Sequence, residues 1–111
     1  MSDEVFSTYI LSVVKEPIEG IVIGDCEGEP RYDTVPKEKR YILLDANEAL
    51  RMLSYWWDSG FGSANCHAVY IWTKDRVWFI HEYDGATGLN SVPRNPIDCK
   101  PYYSGDDGDE E

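Results

Sequence analysis

Cys66-His67, with His81, Asp84 and Asn95 further on, is the set of side chains that invites a covalent mechanism. A cysteine nucleophile needs a thiolate, an imidazole within hydrogen-bond reach and a third group to orient it. Neighbouring residues on a strand point to opposite faces, so Cys66 and His67 do not make that pair. Cys66 and His81 share a face, two positions out of register, and the plainer expectation is a buried thiol and a hydrogen-bonded histidine. Cys26, Cys66, His67, His81 and Cys99 show neither the C-x-x-C nor the H-x-x-x-H spacing of a zinc site. Asp84-Gly85 lacks the D-x-D-x-D-G run of a calcium loop and reads as a turn after a strand. There is no glycine-rich phosphate loop. The expectation is therefore a non-enzyme with no metal and no cofactor.

The carboxylates are more informative. The chain has 111 residues, 10 Lys and Arg against 21 Asp and Glu, and a formal net charge of −11. Glu16, Glu19, Asp25, Glu27, Glu29 and Asp33 lie within 18 residues, opposed only by Arg31. Asp106, Asp107, Asp109, Glu110 and Glu111 crowd the end, and setting these five aside still leaves −6. Phosphate contacts need Lys and Arg, so direct nucleic-acid binding and adsorption to an anionic membrane are both disfavoured. Such a surface steers towards a basic groove and speeds encounter with it. The candidate partner-binding residues are Asp25, Glu27, Glu29 and Asp33, with Tyr55 and Trp56 as aromatic anchors. Ordering a flexible tail costs about 1–2 kcal/mol per residue, whereas an exposed ion pair returns about 0–1 kcal/mol, so the loop acids should outweigh the tail.

The elements that must position these groups follow from spacing. Residues 1–103 read as a single domain and 104–111 as a disordered acidic tail. Val5, Phe6, Tyr9, Ile10, Val13 and Val14 recur at helical spacing over 3–16, with Asp3 and Glu4 in the first turn, Lys15 in the last and Pro17 as the stop. Residues 20–24 and 40–44 read as strands around an acidic loop. Asp45 with Glu48 resembles a capping box, and Ala49, Leu50, Leu53 and Trp57 extend a helix over 46–58 that Gly60 and Gly62 close. On that helix Trp56 and Trp57 straddle the apolar stripe and Tyr55 lies off it.

Residues 66–73 and 76–83 form a hairpin around Lys74-Asp75, and a third strand near 88–92 completes a meander. A two-residue turn pairs Trp72 with Val77, Tyr70 with Phe79 and Ala68 with His81 on one face. It pairs Ile71 with Trp78, Val69 with Ile80 and His67 with Glu82 on the other. Both faces are apolar, so one suits the capped helix, while the other needs the N-terminal helix, a second subunit forming a homodimer, or a partner. The fold class is α+β: two helices on an antiparallel sheet of about five strands. Three widely spaced cysteines, an acidic start and no long apolar run point to a reducing cytoplasm without a signal peptide.

Ser59-Gly60-Phe61-Gly62, Cys66-His67, Glu82-Tyr83-Asp84-Gly85 and Val92-Pro93-Arg94-Asn95-Pro96 together resemble short phage and prophage proteins. In size and charge the chain is similar to phage anti-defence proteins, including anti-CRISPR and DNA-mimic anti-restriction inhibitors. The resemblance implies a non-enzymatic inhibitor, in the host cytoplasm, of a basic nucleic-acid-binding defence effector. Two alternatives stand beside it: an immunity protein that neutralises a basic toxin nuclease, and a small cysteine-dependent enzyme using Cys66 and His81.

Overall fold

The computed structural model describes residues 3–26, 34–58, 65–83 and 86–103. The expected tail at 104–111, the loop acids Glu27, Glu29 and Asp33, Gly60 and Gly62, and Asp84-Gly85 lie outside the described residues.

Strand β1 (Asp3–Val5) leads into helix α1 (Phe6–Val13), then strand β2 (Gly20–Cys26), a 3-10 turn at Lys37–Lys39, and strand β3 (Leu43–Leu44). Helix α2 (Ala46–Met52), the short strand β4 (Trp56–Asp58) and the meander β5 (His67–Trp72), β6 (Arg76–Tyr83) and β7 (Ala86–Pro93) complete the order. The main sheet is antiparallel with the order β3-β2-β5-β6-β7, and β1 and β4 form a separate two-stranded ribbon. This is the expected α+β fold, with two helices, five main-sheet strands and a C-terminal meander.

The first helix is shorter than its spacing predicts. Residues 3–5 pair with 56–58, Val5 opposite Trp56, rather than entering the helix. The start of α1 has no side-chain cap. Phe6 N–H donates instead to the Tyr55 carbonyl at 2.8 Å and Ser7 N–H to the Leu53 carbonyl at 3.0 Å. Two donors that a helix start leaves unpaired are thereby satisfied across the chain. The helix closes at Val13, before Lys15 and Pro17.

The second helix begins where the sequence places it. The Asp45 carboxylate accepts from Asn47 N–H at 3.0 Å and Glu48 N–H at 3.3 Å. The reciprocal arm of a capping box is replaced by an ion pair, since the Glu48 carboxylate meets Lys39 Nζ at 2.8 Å. The expected continuation to residue 58 is corrected: α2 stops at Met52. Thr34 donates its hydroxyl to the Met52 carbonyl, and Ser54 Oγ donates to the Leu50 carbonyl at 2.9 Å. The aromatic run Tyr55-Trp56-Trp57 suits a pleated ribbon better than another helical turn. Asp45→Ala removes the cap and is expected to cost about 1 kcal/mol of stability, measured as a lower urea midpoint. An unchanged midpoint would contradict the cap.

Strand β3 is also shorter than the expected 40–44, because Tyr41 holds φ at 70°, outside extended backbone. The hairpin register agrees with the expectation at Tyr70↔Phe79, Ile71↔Trp78 and Trp72↔Val77. Among the described residues the expected pairs Ala68–His81, Val69–Ile80 and His67–Glu82 do not form between β5 and β6. The early half of β5 pairs with β2 alone, through Ile23↔Val69 and, past a bulge, Cys26↔His67.

One core cluster draws on both helices, through Phe6, Ile10, Ala49 and Leu53, and on the sheet through Ile21, Ile23, Val69 and Ile71. Both helices therefore cover the same face, the one carrying Ile71 and Trp78. No described helix is long and apolar enough to cross a membrane.

Candidate protein-interaction surface

The acidic loop is clasped at its base. Asp25, near the end of β2, accepts from the Tyr41 hydroxyl at 2.6 Å and pairs with Arg40 Nη1 at 3.3 Å. Arg40 also donates to the Val35 carbonyl from Nε at 3.2 Å and Nη2 at 3.0 Å, and Val35 is buried in the core. The hydrogen bond from the Tyr41 phenol, opposed by desolvation and helped by Arg40, holds the Asp25 carboxyl below its ordinary range. The same hydrogen bond raises the Tyr41 phenol, which must give up its bond to a carboxylate if it ionises. Asp25 is a candidate partner contact whose carboxylate is engaged first within the chain. It remains largely exposed, so it still contributes charge to the surface.

The two aromatic candidates separate. Trp56 is 56% exposed on β4, available to a partner. Tyr55, expected on the outside of a helix, is buried in the core; its ring stacks on Phe6 and its hydroxyl contacts His67 Nδ1 at 2.8 Å. The correction follows from the end of α2: on a ribbon, alternate residues face opposite ways, so Trp56 points out while Tyr55 and Trp57 point in.

Cys66 and His67 are both buried. Desolvation, with the charges of Cys26 and Glu82, pushes the Cys66 thiol far up. A nucleophilic cysteine requires the opposite shift. His81 sits on β6 opposite Gly88 of β7. Cys26, Cys66 and Cys99 are all free thiols. Among the described residues no three His, Cys, Asp or Glu side chains converge as metal ligands.

The face of the main sheet away from the helices is the feature that sequence reasoning left unassigned. One cross-strand row reads Leu43–Val22–Tyr70–Phe79, and the next Gly20–Trp72–Val77–Val92. None of these residues belongs to the core cluster or packs against it. Tyr70 and Trp72 meet edge to face, with ring centroids 6.1 Å apart. The signal was present in the period-two pattern of 67–72, which is apolar at both parities. What it lacked was the side on which α1 packs. Comparison of the chain with family models, with curated proteins and with solved structures finds no match.

Proposed function

We propose that the chain is a non-enzymatic inhibitor in the host cytoplasm that occupies the basic nucleic-acid-binding surface of a defence effector of the restriction or CRISPR-Cas type. The observation that carries this reading is a net charge of −11 on a chain of 111 residues, with six of its acids between Glu16 and Asp33 opposed only by Arg31. Three ion pairs among the described residues, Lys39–Glu48, Arg40–Asp25 and Arg94–Glu19, occupy basic side chains internally and leave Asp25 and Glu19 at least half exposed. Carboxylates on such a surface stand in for phosphates, and the exposed Trp56 supplies an apolar anchor. The burial of Cys66, which pushes its thiol up rather than down, speaks for this reading over a cysteine enzyme.

The test is inhibition of DNA cleavage by purified restriction and CRISPR-Cas nucleases, with a toxin nuclease as a further arm. Inhibition by the chain is expected against a defence nuclease, with an on-rate that falls as salt rises, because the Debye length shrinks from about 10 Å at 0.1 M to about 3 Å at 1 M. An on-rate flat across that range would remove the electrostatic basis. Inhibition of the toxin nuclease alone would favour the immunity reading. Charge reversal of Glu27, Glu29 and Asp33 to Lys should abolish inhibition; Asp25 is best left intact, since its reversal would also open the clasp to Tyr41 and Arg40.

A further inference from the structure

We propose that the segment after β7, residues 94–103, is a strap that guards the β7 edge against pairing with the same edge of a second copy, and that Tyr102 is its latch, whatever the acidic surface binds.

β7 lies at the edge of the main sheet. It runs for eight residues, Ala86–Pro93, and pairs with β6 over its whole length without a bulge. None of the eight is charged. Brevity, bulges and charged side chains are the ordinary protections of a sheet edge, and β7 has none of the three. The opposite edge, β3, is two residues long and is protected by its brevity.

Other groups stand in. Alternate residues of an edge strand turn their backbone groups away from the ladder. On β7 these include Leu89 and Ser91, since Leu89 N–H donates to the Tyr9 hydroxyl at 2.9 Å and Ser91 N–H to Asn90 Oδ1 at 3.0 Å. Pro93, next in that alternation, has no N–H to offer. The Ser91 carbonyl accepts from the Tyr102 hydroxyl at 2.6 Å and from Arg76 Nη2 at 3.2 Å. The Tyr102 oxygen also lies 3.1 Å from Asn90 Oδ1. Asn90 thus supplies the acceptor, and Tyr102 a donor, that a sixth strand would bring to Ser91. Asn90 and Ser91 are accordingly buried although they sit at a sheet edge.

Tyr102 is the part of this guard that can leave. Tyr9 and Arg76 are carried by α1 and β6, and Asn90 by β7 itself. Tyr102 is carried by a strand-free segment pinned at its start by Arg94. There the Arg94 N–H donates to the Asp75 carbonyl at 2.9 Å, and Nη1 meets Glu19 at 2.6 Å and the Thr73 carbonyl at 2.8 Å. Residues 95–101 are exposed throughout, and the chain returns to the sheet at Tyr102. A segment with so little buried surface opens far more cheaply than the domain unfolds. With Tyr102 away, Asn90 and Ser91 are uncovered and the edge can accept a strand. A second copy fits: two β7 edges pair antiparallel about a two-fold axis, with no charged side chain on either strand to oppose the contact.

Sedimentation of the full chain, with reductant present because Cys99 is exposed, tests the latch. The parent should stay monomeric up to millimolar concentration, while Tyr102→Ala should reach twice the monomer mass as concentration rises. Tyr102→Phe, which keeps the ring and loses the donor, should associate more weakly. Tyr103→Ala, at an exposed neighbour, should remain monomeric. Adding Val92→Lys to Tyr102→Ala puts a charge on the edge strand and should restore the monomer. Amide exchange at Leu89 and Ser91 should quicken in dilute Tyr102→Ala and slow again as it associates. A Tyr102→Ala protein with the parent's circular dichroism that stays monomeric at every concentration would overturn the proposal. So would equal association of Tyr103→Ala, association that Val92→Lys leaves intact, or a parent that is already a dimer. If Tyr102→Ala does not fold, Tyr102→Phe is judged by the same outcomes.

Discussion

Trp57→Ala is expected to lower the unfolding free energy by about 3–5 kcal/mol, and Trp56→Ala by no more than about 0.5 kcal/mol. Trp57 is 2% exposed and lies between Phe6 and Tyr9, with ring centroids 4.9 and 5.0 Å away. Truncation removes the largest side chain among the fully buried ones and leaves a cavity under α1 that these neighbours fill only in part. Trp56, one residue earlier, points to solvent. A domain of this size has a stability of about 5–15 kcal/mol, so the first variant sits near the edge of folding and the second does not. Urea denaturation followed by circular dichroism measures both. The asymmetry is specific to a ribbon: on a helix through residue 58 both indoles would border the apolar stripe and both truncations would cost heavily. Similar losses for the two variants would return residues 53–58 to the helix.

The second large effect is expected from Tyr55→Phe, at about 1–3 kcal/mol. The substitution keeps the ring that stacks on Phe6 and deletes only the hydroxyl. That hydroxyl accepts from His67 N–H at 2.9 Å while contacting His67 Nδ1 at 2.8 Å. A hydroxyl has one proton and two lone pairs, so it serves both groups at once by accepting from the amide and donating to the ring nitrogen. Its removal withdraws a partner from two polar groups of a fully buried residue. Amide hydrogen exchange at His67 gives a local readout beside the global melting curve. Unchanged stability and unchanged protection at His67 would mean that water replaces the hydroxyl, which a dry core excludes.

Local signals were legible. Asp45 and Glu48 announce a helix start within four residues, and the cap forms as the spacing requires, even though Lys39 takes the Glu48 carboxylate. The strands around Lys74-Asp75 are separated by a turn short enough to fix the register of the three pairs that form. Illegible features depend on residues far apart in the chain. Tyr55-Trp56-Trp57 fits either a fourth helical turn or a strand, and the choice is made by Leu53 and Tyr55 carbonyls that cap α1. Asp25 looks like one more acid in a cluster, because nothing local points it at Arg40 and Tyr41, 15 and 16 residues on. Tyr41 itself breaks an otherwise plausible strand through a backbone angle that its residue type does not advertise. The two apolar faces of the meander were visible, but their inequality arises only once both helices settle on one of them.

The ribbon between residues 3–5 and 56–58 also imposes an order of events on a growing polypeptide. At about 5–20 residues per second, about 3–10 s separate the synthesis of Val5 from that of its partner Trp56. Until then Phe6 and Ile10 lack the indole and the carbonyls that seat them, and an isolated segment of eight residues is too short to hold a helix in water. The Tyr9 hydroxyl must wait longer still, since Leu89 lies 80 residues downstream. By contrast the meander joins neighbours in sequence and pairs as soon as it emerges. The final fold thus brings an earlier segment to rest on strands made after it, and such long-range pairing favours folding in milliseconds to seconds over microseconds.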